Sequence, residues 1–334
     1  MGILGAQVPG ELYNQGLDRA WDELIDKTEK LEACLCSIYP TDPYDEMDRI
    51  EKMKGDLLPE SYNWIFSNPD FELWCDYPNG QLLWISGDTG KGKTMLLCGI
   101  TNELGVSALA AYRLAYFFSQ AAGSRMNTAT AALRGLLYMV VQQQPRLRVH
   151  VTERCFDVRS SLFGDTCSFK SMKEAFTAVI QDPEFQLTYF IIDGLDQCTI
   201  DQQNLLDFVI HSTKFFRVSW IVSSCDSPPI QEQRELWFHQ VRFGAESNAN
   251  FVTASLQSFI GYKVSMLAHQ NTYTEQTRDA VALHLAANAG NSFLWVATAC
   301  KHLERVTERD VPDVLATLRR GLDTLYQQVL QSMD

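Results

Sequence analysis

One run of sixteen residues limits what this chain can fold into more than any other: Leu82-Leu-Trp-Ile-Ser-Gly-Asp-Thr-Gly-Lys-Gly-Lys-Thr-Met-Leu-Leu97. An apolar stretch, a glycine-rich turn and a second apolar stretch predict a buried strand, a phosphate loop and a helix. Gly87, Gly92, Lys93 and Thr94 fill the fixed positions of G-x-x-x-x-G-K-[ST]. Glycines let successive N–H groups turn inward around a polyphosphate without Cβ clashes, and the opening helix adds its positive end to the same anion. The predicted cradle runs through Gly87, Asp88, Thr89, Gly90, Lys91, Gly92, Lys93, Thr94 and Met95. Lys93 is expected to reach the β- and γ-phosphates and the Thr94 hydroxyl to hold Mg²⁺. The expected cofactors are therefore ATP or GTP with Mg²⁺, and the lack of an N-K-x-D guanine motif tilts the choice toward ATP.

Composition narrows the partners. A formal net charge of −13 argues against a sequence-independent nucleic-acid binder or a binder of acidic membranes, both of which need a basic surface. Nine scattered cysteines, odd in number and without a C-x-x-C pair, read as reduced thiols of a cytoplasmic protein. No apolar run approaches the ~20 residues of a membrane-spanning helix. The start, Met1-Gly-Ile-Leu-Gly-Ala6, lacks the basic region of a signal peptide, and Ala6 stands where a myristoylation signal wants Ser or Thr.

Three segments follow along the chain. Residues 1–60 read as helical, with an amphipathic stretch over 11–37 and a short charged helix over 44–54. Residues 61–255 open with a dense aromatic set (Trp64, Phe66, Phe71, Trp74), read as core contacts, the alternative being that some of them flank a nucleotide base. Strands are then predicted at 82–86, 114–119, 187–193, 218–224 and, as a fifth, near Phe251-Val-Thr-Ala254, with helices between them. The alternation implies about five parallel strands covered by helices, an α/β P-loop NTPase. From Leu256 to the end the period is helical throughout, which predicts a small all-α lid domain over 256–334.

A phosphate loop needs an acid at the carboxyl end of a neighbouring strand. Tyr189-Phe-Ile-Ile-Asp-Gly-Leu-Asp196 supplies Asp193 as the expected Mg²⁺ carboxylate, as against a solvated turn or a helix cap, and Asp196 as a residue that orients water or tunes the metal shell. Together with Tyr116-Phe-Phe-Ser-Gln120, Thr130-Ala-Ala-Leu-Arg-Gly-Leu136, Phe190-Ile-Ile-Asp-Gly-Leu-Asp-Gln-Cys198, Ser219-Trp-Ile-Val-Ser-Ser224, Phe293-Leu-Trp-Val296 and Gly321-Leu-Asp-Thr-Leu-Tyr326, these residues resemble the NACHT NTPase domain of fungal NOD-like proteins. Nephrocystin-like N-terminal domain is the related label, and STAND the wider class. The resemblance implies a signal-transducing nucleotide switch in incompatibility or innate-immunity-like recognition, with protein partners or self-association through the module. It also marks two departures. Gln197 stands where many relatives carry Glu, and Cys225 where the family's γ-phosphate-sensing arginine follows the Ser223-Ser224 strand. An arginine at such a site is worth ~10³ or more in rate, so hydrolysis is expected to be slow. Cys225 itself reads as a small filling residue, with no cationic neighbour in sequence to make it reactive. Two other classes stay open: a non-catalytic scaffold or decoy that keeps the fold, and a metabolic phosphotransferase.

Overall fold

The computed structural model describes residues 43–54, 57–76, 81–119, 127–151, 169–215, 217–225, 239–243, 246–318 and 321. The helices expected over 11–37 and 322–333 lie outside the described residues. Helix α1 (Pro43–Lys54), the single turn α2 (Pro59–Tyr62) with its 3₁₀ extension Asn63–Ser67, and α3 (Pro69–Asp76) precede the sheet. Proline opens all three, where its missing N–H costs nothing. Asn68 caps α3, its Oδ1 accepting from the amides of Asp70 and Phe71 at 3.0 and 3.4 Å.

β1 (Leu82–Ser86), β2 (Arg113–Phe118), β3 (Thr188–Asp193), β4 (Val218–Ser224) and β5 (His239–Arg242) form one parallel sheet in the order β2-β3-β4-β1-β5. Every residue of β1, β3 and β4 is buried, as apolar runs covered on both faces must be. The covering helices are α4 (Lys93–Ala111), α5 (Ala129–Gln143), α6 (Phe169–Gln181) and α7 (Gln202–Ser212). Thr128 starts α5 by accepting from the Ala131 amide, and Pro145 lies just past its end. On one side of the sheet Phe190 stacks on Trp220 at 4.6 Å and Phe176 and Phe208 close the cluster, with the Trp220 indole N–H donating to Ser212 Oγ at 2.8 Å.

The fifth strand is not where the sequence suggested. Phe251–Ala254 belongs to a 25-residue helix, α8 (Glu246–Gln270). The short β-like run loses because Val252, Leu256, Phe259, Ile260, Val264 and Leu267 are buried at helical spacing, so one face of a long helix satisfies all of them. The strand that pairs with β1 is instead His-Gln-Val-Arg, too short and polar to show a period, with Val241 fully buried. α8 also runs unbroken through the change of period at Leu256. The hydrophobic clusters nevertheless divide inside it: Val252 packs with the sheet, while Leu256 onward packs with α9 (Glu275–Asn288), α10 (Phe293–Leu303) and α11 (Val311–Thr317).

Candidate nucleotide-binding site

β4 lies between β1 and β3, so the loops leaving all three strands converge at one sheet edge, where ligands of parallel α/β sheets sit. The loop after β1 turns through Gly90 (φ 80°) and Gly92 (φ 94°), left-handed conformations that favour glycine, before α4 starts at Lys93. A Cβ on Gly92 would stand 3.0 Å from the Phe293 ring. Glycine here therefore serves both the turn and the close approach of a helix from the other cluster.

Lys93 is buried and folded back on its own loop, its Nζ donating to Gly87 O at 2.7 Å and Asp88 O at 3.0 Å. Its third hydrogen faces Cys225 Sγ at 3.5 Å, and the Thr89 hydroxyl is 3.4 Å from the same sulfur. Cys225 thus has a cationic neighbour, contrary to the sequence reading, because residues 132 apart meet at the sheet edge. Burial nevertheless outweighs Thr89 and Lys93 and pushes the thiol above its usual value, so it is not an activated thiolate.

Asp193 is buried at the end of β3. Its Oδ1 accepts from Ser223 Oγ at 2.5 Å, and Ser223 Oγ accepts in turn from the Gly194 amide at 2.9 Å. Among the described residues Oδ2 takes no protein hydrogen bond, while the side chain lines the cavity. Asp196 sits on the 3₁₀ turn Leu195–Gln197, and its Oδ1 accepts from the Cys225 amide at 2.9 Å, which ties the exit of β3 to the exit of β4. Gln197 is exposed and its side chain bends back over Gly194.

These groups share one cavity of about 1110 Å³. Of the expected cradle, Thr89, Gly90, Gly92, Lys93, Thr94 and Met95 line it; Gly87 and Asp88 face Lys93 through their carbonyls, and Lys91 turns away to the Gly290 carbonyl at 3.0 Å. Trp64, Phe243, Phe259 and Phe293 give the cavity an aromatic side, with Trp64 edge-on to Phe243 at 5.8 Å and Phe259 5.5 Å from Phe293. Phe71 and Trp74 are core residues instead. The donor set fits a nucleotide polyphosphate with a divalent ion: a glycine cradle, one buried ammonium, one hydroxyl and one carboxylate. Among the described residues no group of three or more acidic, His or Cys side chains could hold a metal alone, so an ion here would rely on phosphate oxygens beside Thr94 and Asp193.

The second cluster touches the loop directly. Ser292 caps α10 by accepting from the Trp295 amide, and the amide of Leu294 and the Ser292 hydroxyl lie 3.3 and 3.5 Å from Gly90 O. Sequence inspection singled out Phe293-Leu-Trp-Val296 only by resemblance; spacing alone gives no sign that this helix start meets residues two hundred positions earlier.

Among the described residues no helix is long and apolar enough to cross a membrane. Residues 60–225, from α2 to Cys225, match the family described as nephrocystin 3, N-terminal. The chain is 38% identical over 335 residues to the vegetative incompatibility protein HET-E-1 of Podospora anserina, a match that takes in 99% of this chain and 25% of that protein. It thus spans about a quarter of that relative's length. The solved structures it resembles include C. elegans PCH-2 (TM-score 0.43, 13% identity, 75% of this chain and 61% of that one). They also include Drosophila ORC bound to DNA (TM-score 0.47, 14% identity, 86% of this chain and 65% of that one). By its identity to HET-E-1 across the chain and the match of residues 60–225, the chain belongs to the fungal NACHT-type P-loop NTPases, the family of the nephrocystin-3 N-terminal domain.

Proposed function

We propose that this chain is the nucleotide-binding switch of a NACHT-type signalling protein, taking ATP, or GTP, with Mg²⁺ and hydrolysing it slowly. One observation carries the reading. The lid helix α10 begins on the phosphate loop itself, through Leu294 N to Gly90 O, Lys91 Nζ to Gly290 O and Phe293 against Gly92. A ligand that fills the loop must share it with the lid, so binding free energy is coupled to lid position.

In this reading Lys93 and the loop amides bind the phosphates, Trp64, Phe243, Phe259 and Phe293 enclose the base, and Thr94 and Asp193 hold the metal. Mg²⁺, when bound, neutralises charge on the β- and γ-oxygens. Asp196 acts through the Cys225 backbone to fix the β4 exit, and a bound water is the further group it could orient. Cys225 offers no cation to the terminal phosphate, which supports slow turnover. The same residue, with Gln197, favours a second reading: a non-catalytic scaffold that binds nucleotide and never releases phosphate. Cys75, Cys198, Cys225 and Cys300 are free thiols, which supports a reducing, cytoplasmic setting. The likeness to HET-E-1 supports a role in incompatibility signalling through protein partners or self-association.

The test is calorimetry with ATP, ADP and GTP, with and without Mg²⁺, beside phosphate release and hydrogen exchange over residues 292–306. Tight Mg²⁺-dependent binding with slowed exchange in that helix is expected. Binding without phosphate release over hours selects the scaffold, and exchange identical at saturating nucleotide removes the switch.

A further inference from the structure

The cavity carries a second set of charges that the phosphate loop does not use. It is lined by Lys52 of α1 and, from the second cluster, by Lys263, Lys301, His302 and Arg305, with Glu304 the one carboxylate from that cluster and Asp193 and Asp196 at the sheet edge, in a chain whose formal net charge is −13. Lys52 is paired with Asp48 on α1. Lys263, Lys301 and Arg305 form no ion pair with any described residue.

All three line the same cavity. Lys301 and Arg305 are four residues apart, at the end of α10 and one turn beyond. The Lys263 ammonium on α8 sits 5.7 Å from the Phe259 ring, and that ring is 5.5 Å from Phe293, whose edge meets Gly92. Lys263 is also close enough to Cys300, the neighbour of Lys301, to act on its thiol. Like charges gathered round a low-dielectric cavity repel one another, and in a strongly acidic protein such a gathering is relieved by a bound anion.

We propose that Lys263, Lys301 and Arg305 form a second phosphate-recognition site in this cavity, independent of Lys93, for a small polyphosphate anion. Both a phosphate group of the bound nucleotide and a free polyphosphate carry the chemistry it reads.

The probe is inorganic tripolyphosphate, titrated by calorimetry into the full chain carrying Lys93→Ala, so that loss of the phosphate loop cannot be confused with loss of this site. Binding is expected to persist there, to weaken tenfold or more on adding K263Q, K301Q and R305Q, and to fall steeply with salt. Arms carrying K263R, K301R and R305K in their place keep the charge and should bind within threefold of Lys93→Ala alone. Absence of tripolyphosphate binding to Lys93→Ala overturns the proposal, as does unchanged binding with the three glutamines. A loss as large with the charge-keeping set overturns it too, because packing and not charge was then removed. The source is read from the parent chain saturated with ATP. A further equivalent of tripolyphosphate bound there identifies a free anion, and none identifies the nucleotide's own phosphates; either result keeps the site.

Discussion

Replacing Lys93 by Met separates two jobs that one ammonium performs. An ammonium has three hydrogens. Two are committed to Gly87 O and Asp88 O, at 2.7 and 3.0 Å, and the third faces Cys225 Sγ at 3.5 Å, a weak acceptor. A phosphate oxygen arriving on that side takes the third hydrogen without displacing the other two, so binding costs the lysine no loop contact. A hydrogen bond to a charged group is worth about 1.5–3 kcal/mol. The attraction of unit charges 4 Å apart at an effective dielectric of 20 is about 4 kcal/mol. The two descriptions overlap, so Lys93→Met should cost about 3–4 kcal/mol of ATP binding, on the order of 10²- to 10³-fold in Kd. The loss of the two carbonyl contacts, which cavity water partly replaces, should cost the nucleotide-free chain about 1 kcal/mol, a fall in Tm of about 2–4 °C. Calorimetry with Mg·ATP and melting without nucleotide measure the two separately. ATP affinity within threefold of the parent, with the modest Tm change as expected, refutes the phosphate role. A variant that no longer melts cooperatively shows that the loop contacts hold far more of the fold than two hydrogen bonds should.

Asp193→Asn keeps an oxygen for Ser223 and should therefore fold normally, while the Mg²⁺-dependent part of nucleotide affinity disappears; an unchanged response to Mg²⁺ makes Asp193 a structural residue. Cys225→Arg places a guanidinium at the β4 exit beside Lys93, so it should raise single-turnover phosphate release about tenfold or more and sharpen the preference for ATP over ADP. Brisk hydrolysis by the parent that the arginine leaves unaltered would assign γ-phosphate sensing to another residue. Away from the site, His150 Nε2 lies 2.6 Å from Asp182 Oδ2, and this contact first, then the Glu184 amide, holds the Asp182 carboxyl below its usual 3.8. A carboxyl that titrates lower folded than unfolded stabilises above the unfolded value and loses that contribution as pH falls through the folded one. Asp182→Asn should thus lower stability by up to about 1 kcal/mol at neutral pH. Melting curves of the two proteins should converge as pH drops below 3.8; a constant gap down to pH 2 would remove these carboxylate hydrogen bonds from the account.

What was legible in the sequence was local. The phosphate loop, β1 and the start of α4 are sixteen consecutive residues, and glycine spacing, apolar runs and a lysine fix their geometry with little outside help. Strands ending at Asp193 and Ser224 announce themselves because a buried parallel strand is one unbroken apolar run. Folding alone decided the rest. His239–Arg242 is a strand only because β1 offers it an edge, and Phe251–Ala254 is helical only because residues up to Leu267 share one buried face. Cys225 gains Lys93 as a neighbour through strand order, although the two are 132 positions apart. The lid's seat on Gly90 and the placing of Lys263 in one cavity with Lys301 and Arg305 depend on contacts between residues far apart in the chain. No window of sequence contains both partners, so periodicity and motif can state what each segment is but not which segment it meets.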